Sequence, residues 1–298
     1  MSGAAREHIP VLWREVLREM QPKAGDVVLD GTVGLGGHAQ HIVPLLGTDG
    51  RYIGLDIDGD MLAHARAALA SEHTCRIDLE QANYAEFPEV LARLELQRVD
   101  AMLLDLGLNS AQLDDPARGF SFDRDGPLDM RFNKQESRTA IDLINSLSET
   151  ELSDLFYDYG QEGASRRIAK RICQARHTGR ITTTVVLARV IESAGAAGGK
   201  THPATRVFQA LRIAVNRELE NVERFLDHVV EHLQIGGKLL VISFHSLEDK
   251  IVKQFLRTAA KAGTMRELTK RPIVAEGTER RANPRSRSAK MRVAERIK

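Results

Sequence analysis

Three stretches of this chain hold residues whose types and spacing can do chemistry together. The first is Asp30-Gly-Thr-Val-Gly34-Leu-Gly36-Gly37-His38-Ala39. Glycines let a backbone turn sharply and approach a ligand closely. Gly34, Gly36 and Ala39 satisfy the spacing G-x-G-x-x-A, and Asp56 follows where a nucleotide fingerprint puts its ribose-binding acid. The loop and acid alone fit nicotinamide enzymes and methyltransferases alike. Two details favour S-adenosylmethionine. Asp30 immediately precedes the loop, where a carboxylate can meet the cationic methionine portion of that ligand. Gly36 and Gly37, followed by His38, open room for a bulky group rather than hold a pyrophosphate. Asp56 then accepts both ribose hydroxyls, or else it only caps the helix that follows.

The second stretch is Leu103-Leu-Asp105-Leu-Gly107-Leu-Asn109-Ser110. At the end of a strand in an open α/β sheet, such residues line the ligand crevice. An exocyclic amine of a nucleobase is a poor nucleophile, because its lone pair is delocalised into the ring. A side chain that accepts hydrogen bonds from the amine favours the attacking form, and alignment supplies much of the rest. Asp105 and Asn109 are the chemical candidates, although Asp105 can equally serve to orient a cofactor. The third stretch is Ser243-Phe-His245-Ser-Leu-Glu248-Asp249. His245 could take a proton, but an amine loses its proton readily after attack, and a lone histidine at a strand end is more often structural.

The elements that must position these residues follow from periodicity. Short apolar runs at Val27–Leu29, Tyr52–Leu55, Arg76–Leu79 and Val99–Leu104 alternate with helical patterns, which predicts a parallel sheet covered by helices. The rhythm breaks from Asp114 to Pro203. That stretch begins with a loop rich in Gly, Pro and Asp (Asp114–Pro127), continues with helices and contains a glycine-rich segment, Ala194–Lys200, read as a mobile loop. One of its helices, Ala164–His177, sets Arg167, Lys170 and Arg171 apart from Ile168 and Ile172. A long helical stretch from Thr205 to Leu233 and a strand at Lys238–Phe244 restore the rhythm. The expected organisation is a discontinuous α/β domain, residues 1–113 and 204–298, with an inserted helical substrate-recognition domain at 114–203.

Charge is unevenly distributed along the 298 residues. Residues 1–109 hold 9 Lys/Arg against 17 Asp/Glu, residues 110–260 hold 21 against 20, and residues 261–298 hold 12 against 4. An acidic first part and a basic end permit an anionic partner approaching one face. Cys75 and Cys173 have neither disulfide-framework nor metal-ligand spacing, so no metal is expected. Without a secretory pattern at the start or an apolar run of spanning length, the expected location is the cytoplasm, with no membrane partner. A dehydrogenase would leave the Asp105 stretch and basic tail without a use. A non-catalytic RNA-binding protein would leave the crevice without one, and a methyltransferase for a protein or small molecule the basic surfaces.

Taken together, the stretches Asp30–His38 and Asp105–Asp114 resemble those of the ribosomal RNA small-subunit methyltransferase H family (RsmH/MraW). So do Arg118-Gly-Phe-Ser-Phe122, Gly126-Pro-Leu-Asp-Met-Arg131, His202-Pro-Ala-Thr205, Phe208–Ile213, Phe244–Asp249 and Asn283–Lys290, and the resemblance begins at His8. It implies a class I S-adenosylmethionine-dependent methyltransferase: an α/β, Rossmann-like fold with a mostly parallel seven-stranded sheet and an inserted helical domain. It also implies methylation of the N(4) amine of a decoding-centre cytidine (position 1402) in 16S rRNA of the small ribosomal subunit. The family's cofactor positions fall on Gly36, Gly37, His38, Asp56, Tyr84, Asp105 and Gln112. Departures from the family pattern are Asn109 for Ser, Ala111 for Pro, Phe132-Asn133 for Met-Asp, Gln161 for Glu, and Tyr84 where Phe is common. The tail residues Arg285, Arg287, Lys290 and Arg292 are expected to alternate along a strand, in a final antiparallel hairpin that the resemblance implies.

Overall fold

The five apolar runs become β1 (Val27–Asp30), β2 (Arg51–Asp56), β3 (Arg76–Gln81), β4 (Val99–Asp105) and β5 (Leu233–Ser243), and the last residues add β6 (Met265–Glu267) and β7 (Lys290–Arg296), seven strands among the described residues. They form one sheet in the order β3-β2-β1-β4-β5-β7-β6. The pairs from β3 to β5 are all parallel, and β7 runs antiparallel to both of its neighbours. The sheet belongs to the first of two compact units in a computed structural model that describes residues 9–71, 74–195 and 202–298. That unit comprises Met1–Gly107 and Leu219–Lys298, and the second comprises Leu108–Glu218.

Side chains alternate across the sheet with the period of two that a strand imposes. Val28, Tyr52, Ala101, Leu103, Leu240, Ile242, Met291 and Val293 pack on one face, with the helices Trp13–Met20 and Gly59–Ala68. Leu29, Ile53, Leu55, Met102, Leu104, Leu239, Val241 and Ala294 pack on the other, with Phe87–Arg93, Glu218–His232 and Ser246–Lys261. Burial on both faces explains why the central strands read as continuous apolar runs. Where β4 meets β5, the register shifts between Val99 and Ala101, and β5 extends back to Leu233 rather than starting at Lys238. Gly236, at φ 82°, lies in that irregular stretch.

The second unit is helical: Ser110–Asp114, Ala140–Ser146, Glu149–Asp158, Ser165–Thr178, Thr184–Ser193 and Ala204–Asn216. Its core gathers Phe120, Leu128, Leu143, Ile144, Leu152, Phe156, Ile168, Ile172, Leu187, Phe208 and Leu211. Thr139 and Ser148 open two of its helices with reciprocal capping boxes to Asp142 and Glu151. The boundaries of this unit differ from 114 and 203. Leu108 and Leu113 pack against its core, and Ala204, Val207, Phe208, Ala210 and Leu211 lie inside that core.

Nor is the stretch from Thr205 to Leu233 one helix. Arg217 sits at φ 51° and breaks it, while Arg212 donates to Glu218 through two bonds of 2.8 and 2.9 Å around the break. The last 38 residues also depart from expectation. Pro284–Arg287 is a turn of 3₁₀-helix, so Arg285 and Arg287 do not alternate in a strand with Lys290 and Arg292. Proline lacks the N–H that a strand ladder needs, which explains the helical turn there. Most of the expected mobile loop, residues 196–200, lies outside the described residues, as does His8.

Candidate active site

The strand order reverses beside β1: β2 lies on one side of it and β4 on the other. The carboxyl ends of the strands at such a point frame a ligand crevice. Asp30, Asp56 and Asp105 end β1, β2 and β4, and Ser243 ends β5.

Asp56 organises the glycine loop from below. Its Oδ2 accepts the N–H of Gly34 at 2.9 Å and its Oδ1 accepts the N–H of Asp58 at 2.9 Å. Burial pushes its carboxyl up to about 7, against the lowering effect of these two bonds. Capping of the next helix falls instead to Asp58, whose side chain accepts from the N–H of Asp60. Gly34 and Gly36 take φ values of 53° and 82°, which suit glycine. At Gly36 the positive φ and not crowding favours glycine, since a β-carbon would make only ordinary contacts with Ala65 and Ala68 at 3.4–3.5 Å.

Asp30 has a different task from the one expected of it. It is 1% exposed, accepting the Tyr52 hydroxyl at 2.7 Å and the Thr32 N–H at 3.0 Å. Burial raises its pKa, and the same burial, with Asp30 alongside, pushes the Tyr52 phenol well up. Its carboxylate therefore anchors the turn after β1 and is not offered to a ligand's cation. Thr32 in turn accepts the backbone N–H of Asp105 at 2.7 Å.

His38 and Asp105 meet across the crevice floor. His38 is 7% exposed, and its Nε2 stands 3.4 Å from Oδ2 of Asp105. Burial opposes a charge on His38, but the interaction with Asp105 and the fields of Asp105, Asp30 and Glu279 together raise its pKa. Among the described residues, neither His38 Nε2 nor Asp105 Oδ1 has a hydrogen-bond partner, although both atoms are buried. Buried polar atoms without partners are costly and point to an interaction with a bound molecule. Tyr84 follows β3, its ring edge-on to Phe225 at 6.0 Å. A β-carbon on Gly31 would lie 2.9 Å from Tyr84 and 2.4 Å from Leu104, so only glycine lets these groups approach.

A model of the MraW methylase family matches residues 5–297. The chain belongs to that family. Curated relatives named ribosomal RNA small subunit methyltransferase H include one from Sorangium cellulosum, 46% identical over 98% of this chain and 91% of its own length. The relative from Elusimicrobium minutum is 45% identical, covering 97% of this chain and 98% of its own. A third, from Koribacter versatilis, is 46% identical over 97% and 94%. Methylases of this family take their methyl group from S-adenosyl-L-methionine, and that is the cofactor of this chain. The positive-φ glycines, the half-buried Asp56 and the unpartnered Nε2 of His38 fit such a ligand.

Within this member of the family, several sequence candidates have other duties. His245 is the N-cap of the helix Ser246–Lys261, where its Nδ1 accepts the Glu248 N–H at 3.3 Å and its backbone N–H donates to Glu248. The cap gives Nδ1 a structural role, while Nε2, 3.1 Å from Glu248 Oε1, is buried without a hydrogen-bond partner among the described residues. In the helical unit, Asn109 caps Ser110–Asp114: its Oδ1 accepts the Gln112 N–H at 2.9 Å, and its own N–H donates to Gln112 Oε1. The oxygen that made Asn109 a catalytic candidate is thus engaged in its own helix. Arg118, from the Arg118–Phe122 motif, is buried and donates to the carbonyls of Arg131 and Phe132. Thr32 and Tyr52 escape sequence reasoning. The period of two could have placed the Tyr52 ring in the core, but nothing in the sequence pairs its hydroxyl with Asp30.

Proposed function

We infer that this methyltransferase acts on ribosomal RNA of the small subunit, at the N(4) exocyclic amine of a decoding-centre cytidine in 16S rRNA. The observation that carries the reading is Asp105: a carboxylate at the carboxyl end of β4 with one buried oxygen unpartnered among the described residues, directed by Thr32 and next to His38. The names of the relatives supply the RNA, and the chemistry of Asp105 supplies the amine.

S-adenosylmethionine contributes a methyl group made electrophilic by its sulfonium. Asp56 would accept the ribose hydroxyls, each carboxylate oxygen having a lone pair beyond the one already used. Gly36, Gly37 and His38 would shape the loop beside the methionine portion, and Tyr84 would offer its ring to the adenine. Asp105 Oδ1 would accept a hydrogen bond from the cytosine amine and draw its lone pair out of conjugation; as nitrogen takes the methyl group, sulfur would leave as a neutral thioether and the amine would give up one proton to water. His38, held next to Asp105, steadies that carboxylate. Since the amine is shielded in stacked or paired RNA, the base must be splayed out to reach Asp105. The helical unit selects the RNA. Its helix Ser165–Thr178 exposes Arg167 and Lys170, and Arg171 too is exposed but donates to Ser193 at 2.9 Å.

Transfer of tritiated methyl groups onto isolated ribosomal subunits tests the reading. Small subunits lacking the modification should be labelled and large subunits left unlabelled. Asp105→Asn should keep S-adenosylmethionine affinity within a few-fold but lower turnover at saturating cofactor. Labelling of protein instead of RNA would refute the substrate.

A further inference from the structure

The helix Ser246–Lys261 begins at the crevice edge, just after β5, and runs away from it. Glu248, Val252, Leu256 and Ala259 face inward from this helix. Lys250, Lys253, Arg257 and Lys261 follow one another at spacings of three, four and four residues, so they share the opposite face. Three of these cations are exposed, and Lys253 is half-exposed. Among the described residues none of the four has an acidic partner. The nearest acid in sequence, Asp249, is already engaged by Arg292 at 2.7 Å and Lys290 at 3.6 Å.

Like charges four residues apart weaken a helix, and Lys253, Arg257 and Lys261 are two such pairs in succession. A face that served only solubility would intersperse acids. From Lys250 to Lys261 the row spans about 16 Å, room for several consecutive phosphates of one strand. We propose that this row is a tracking site for the RNA backbone, which holds the strand flanking the target nucleotide as it leaves the crevice. It touches phosphates and not bases, so it contributes affinity and register without reading sequence. The inference rests on the small-subunit RNA reading above and names a binding surface for it.

Binding of the full chain to small subunits and to protein-free 16S rRNA, measured from 50 to 200 mM salt, tests the proposal. In the variant Lys250→Gln, Lys253→Gln, Arg257→Gln, Lys261→Gln, affinity for both should fall about tenfold or more. The slope of log K against log salt should flatten by about 0.7 for each phosphate that is no longer neutralised. S-adenosylmethionine affinity and thermal stability should be retained, and Arg257→Gln alone should flatten the slope by about 0.7. Unchanged affinity and slope in the fourfold variant would overturn the proposal. So would a weakening confined to assembled subunits, which would make the partner a ribosomal protein. A wild-type chain that binds neither form of the RNA would overturn the substrate reading itself.

Discussion

The hydroxyl of Thr32 accepts the backbone N–H of Asp105 at 2.7 Å, tying the turn after β1 to the last residue of β4. A side chain in the loop therefore fixes the height of the carboxylate proposed to meet the substrate. Thr32→Val keeps the shape but leaves that N–H without an acceptor, a cost of ~1–3 kcal/mol. Urea denaturation should register the loss, and turnover at saturating cofactor should fall with it. Full stability and full turnover in Thr32→Val would mean that this bond does not position Asp105.

Asp56 gives cofactor binding a pH dependence. Burial holds its carboxyl at about 7, whereas ribose hydroxyls favour the ionised form as acceptor. Binding therefore expels a proton below that pH. Affinity for S-adenosylmethionine should be constant above about 7 and weaken on acidification, by about tenfold per unit once well below it. Titration calorimetry from pH 5.5 to 8.5 checks this, with Asp56→Asn as reference. The variant should bind more weakly and lose the pH dependence that Asp56 contributes. An identical profile in both proteins would remove Asp56 from the ribose.

Much of this site is legible in the residues, because it hangs on the ends of strands. Apolar runs place Asp56 and Asp105 at carboxyl termini, and glycine spacing marks the loop between β1 and its helix. Side-chain partnerships across the sheet are not legible in this way. Asp30 reads in sequence as available to a ligand, yet Tyr52, 22 residues away, donates to it and fills that role. The break at Arg217 has no proline or glycine to signal it, and Arg217 takes a left-handed conformation despite its side chain. The basic tail shows the same limit, since charge in a sequence does not say which cations are already paired.

The tail divides into structural and free cations. Arg292 is 5% exposed and clasps Asp249 through bonds of 2.7 and 3.3 Å, whereas Arg287 is exposed. Arg292→Ala leaves Asp249 short of its partner and should destabilise the fold by about 3 kcal/mol, read as a lower denaturation midpoint. Arg287→Ala should change stability by no more than about 0.5 kcal/mol. Equal effects of the two would contradict the division.

Neither cysteine is placed to attack a pyrimidine ring. Cys75 is buried at the amino end of β3, away from the carboxyl ends that frame the crevice, and burial pushes its thiol up. Cys173 is buried in the core of the helical unit. Methylation at carbon-5 of cytosine requires a cysteine nucleophile, and methylation of the amine does not. A Cys75→Ala, Cys173→Ala double variant should therefore keep its methyl-transfer activity on small subunits, apart from any loss that tracks reduced stability. Abolished transfer in a folded double variant would favour the covalent route.

Everything proposed for Asp105 turns on the atom that receives the methyl group. Small subunits lacking the modification, incubated with the wild-type protein and S-adenosylmethionine, should yield RNA whose digested nucleosides can be resolved by mass spectrometry. The expected product is N(4)-methylated cytidine, absent from a control without protein. Methyl on carbon-5 of the base, or on the ribose alone, would contradict amine methylation at this site.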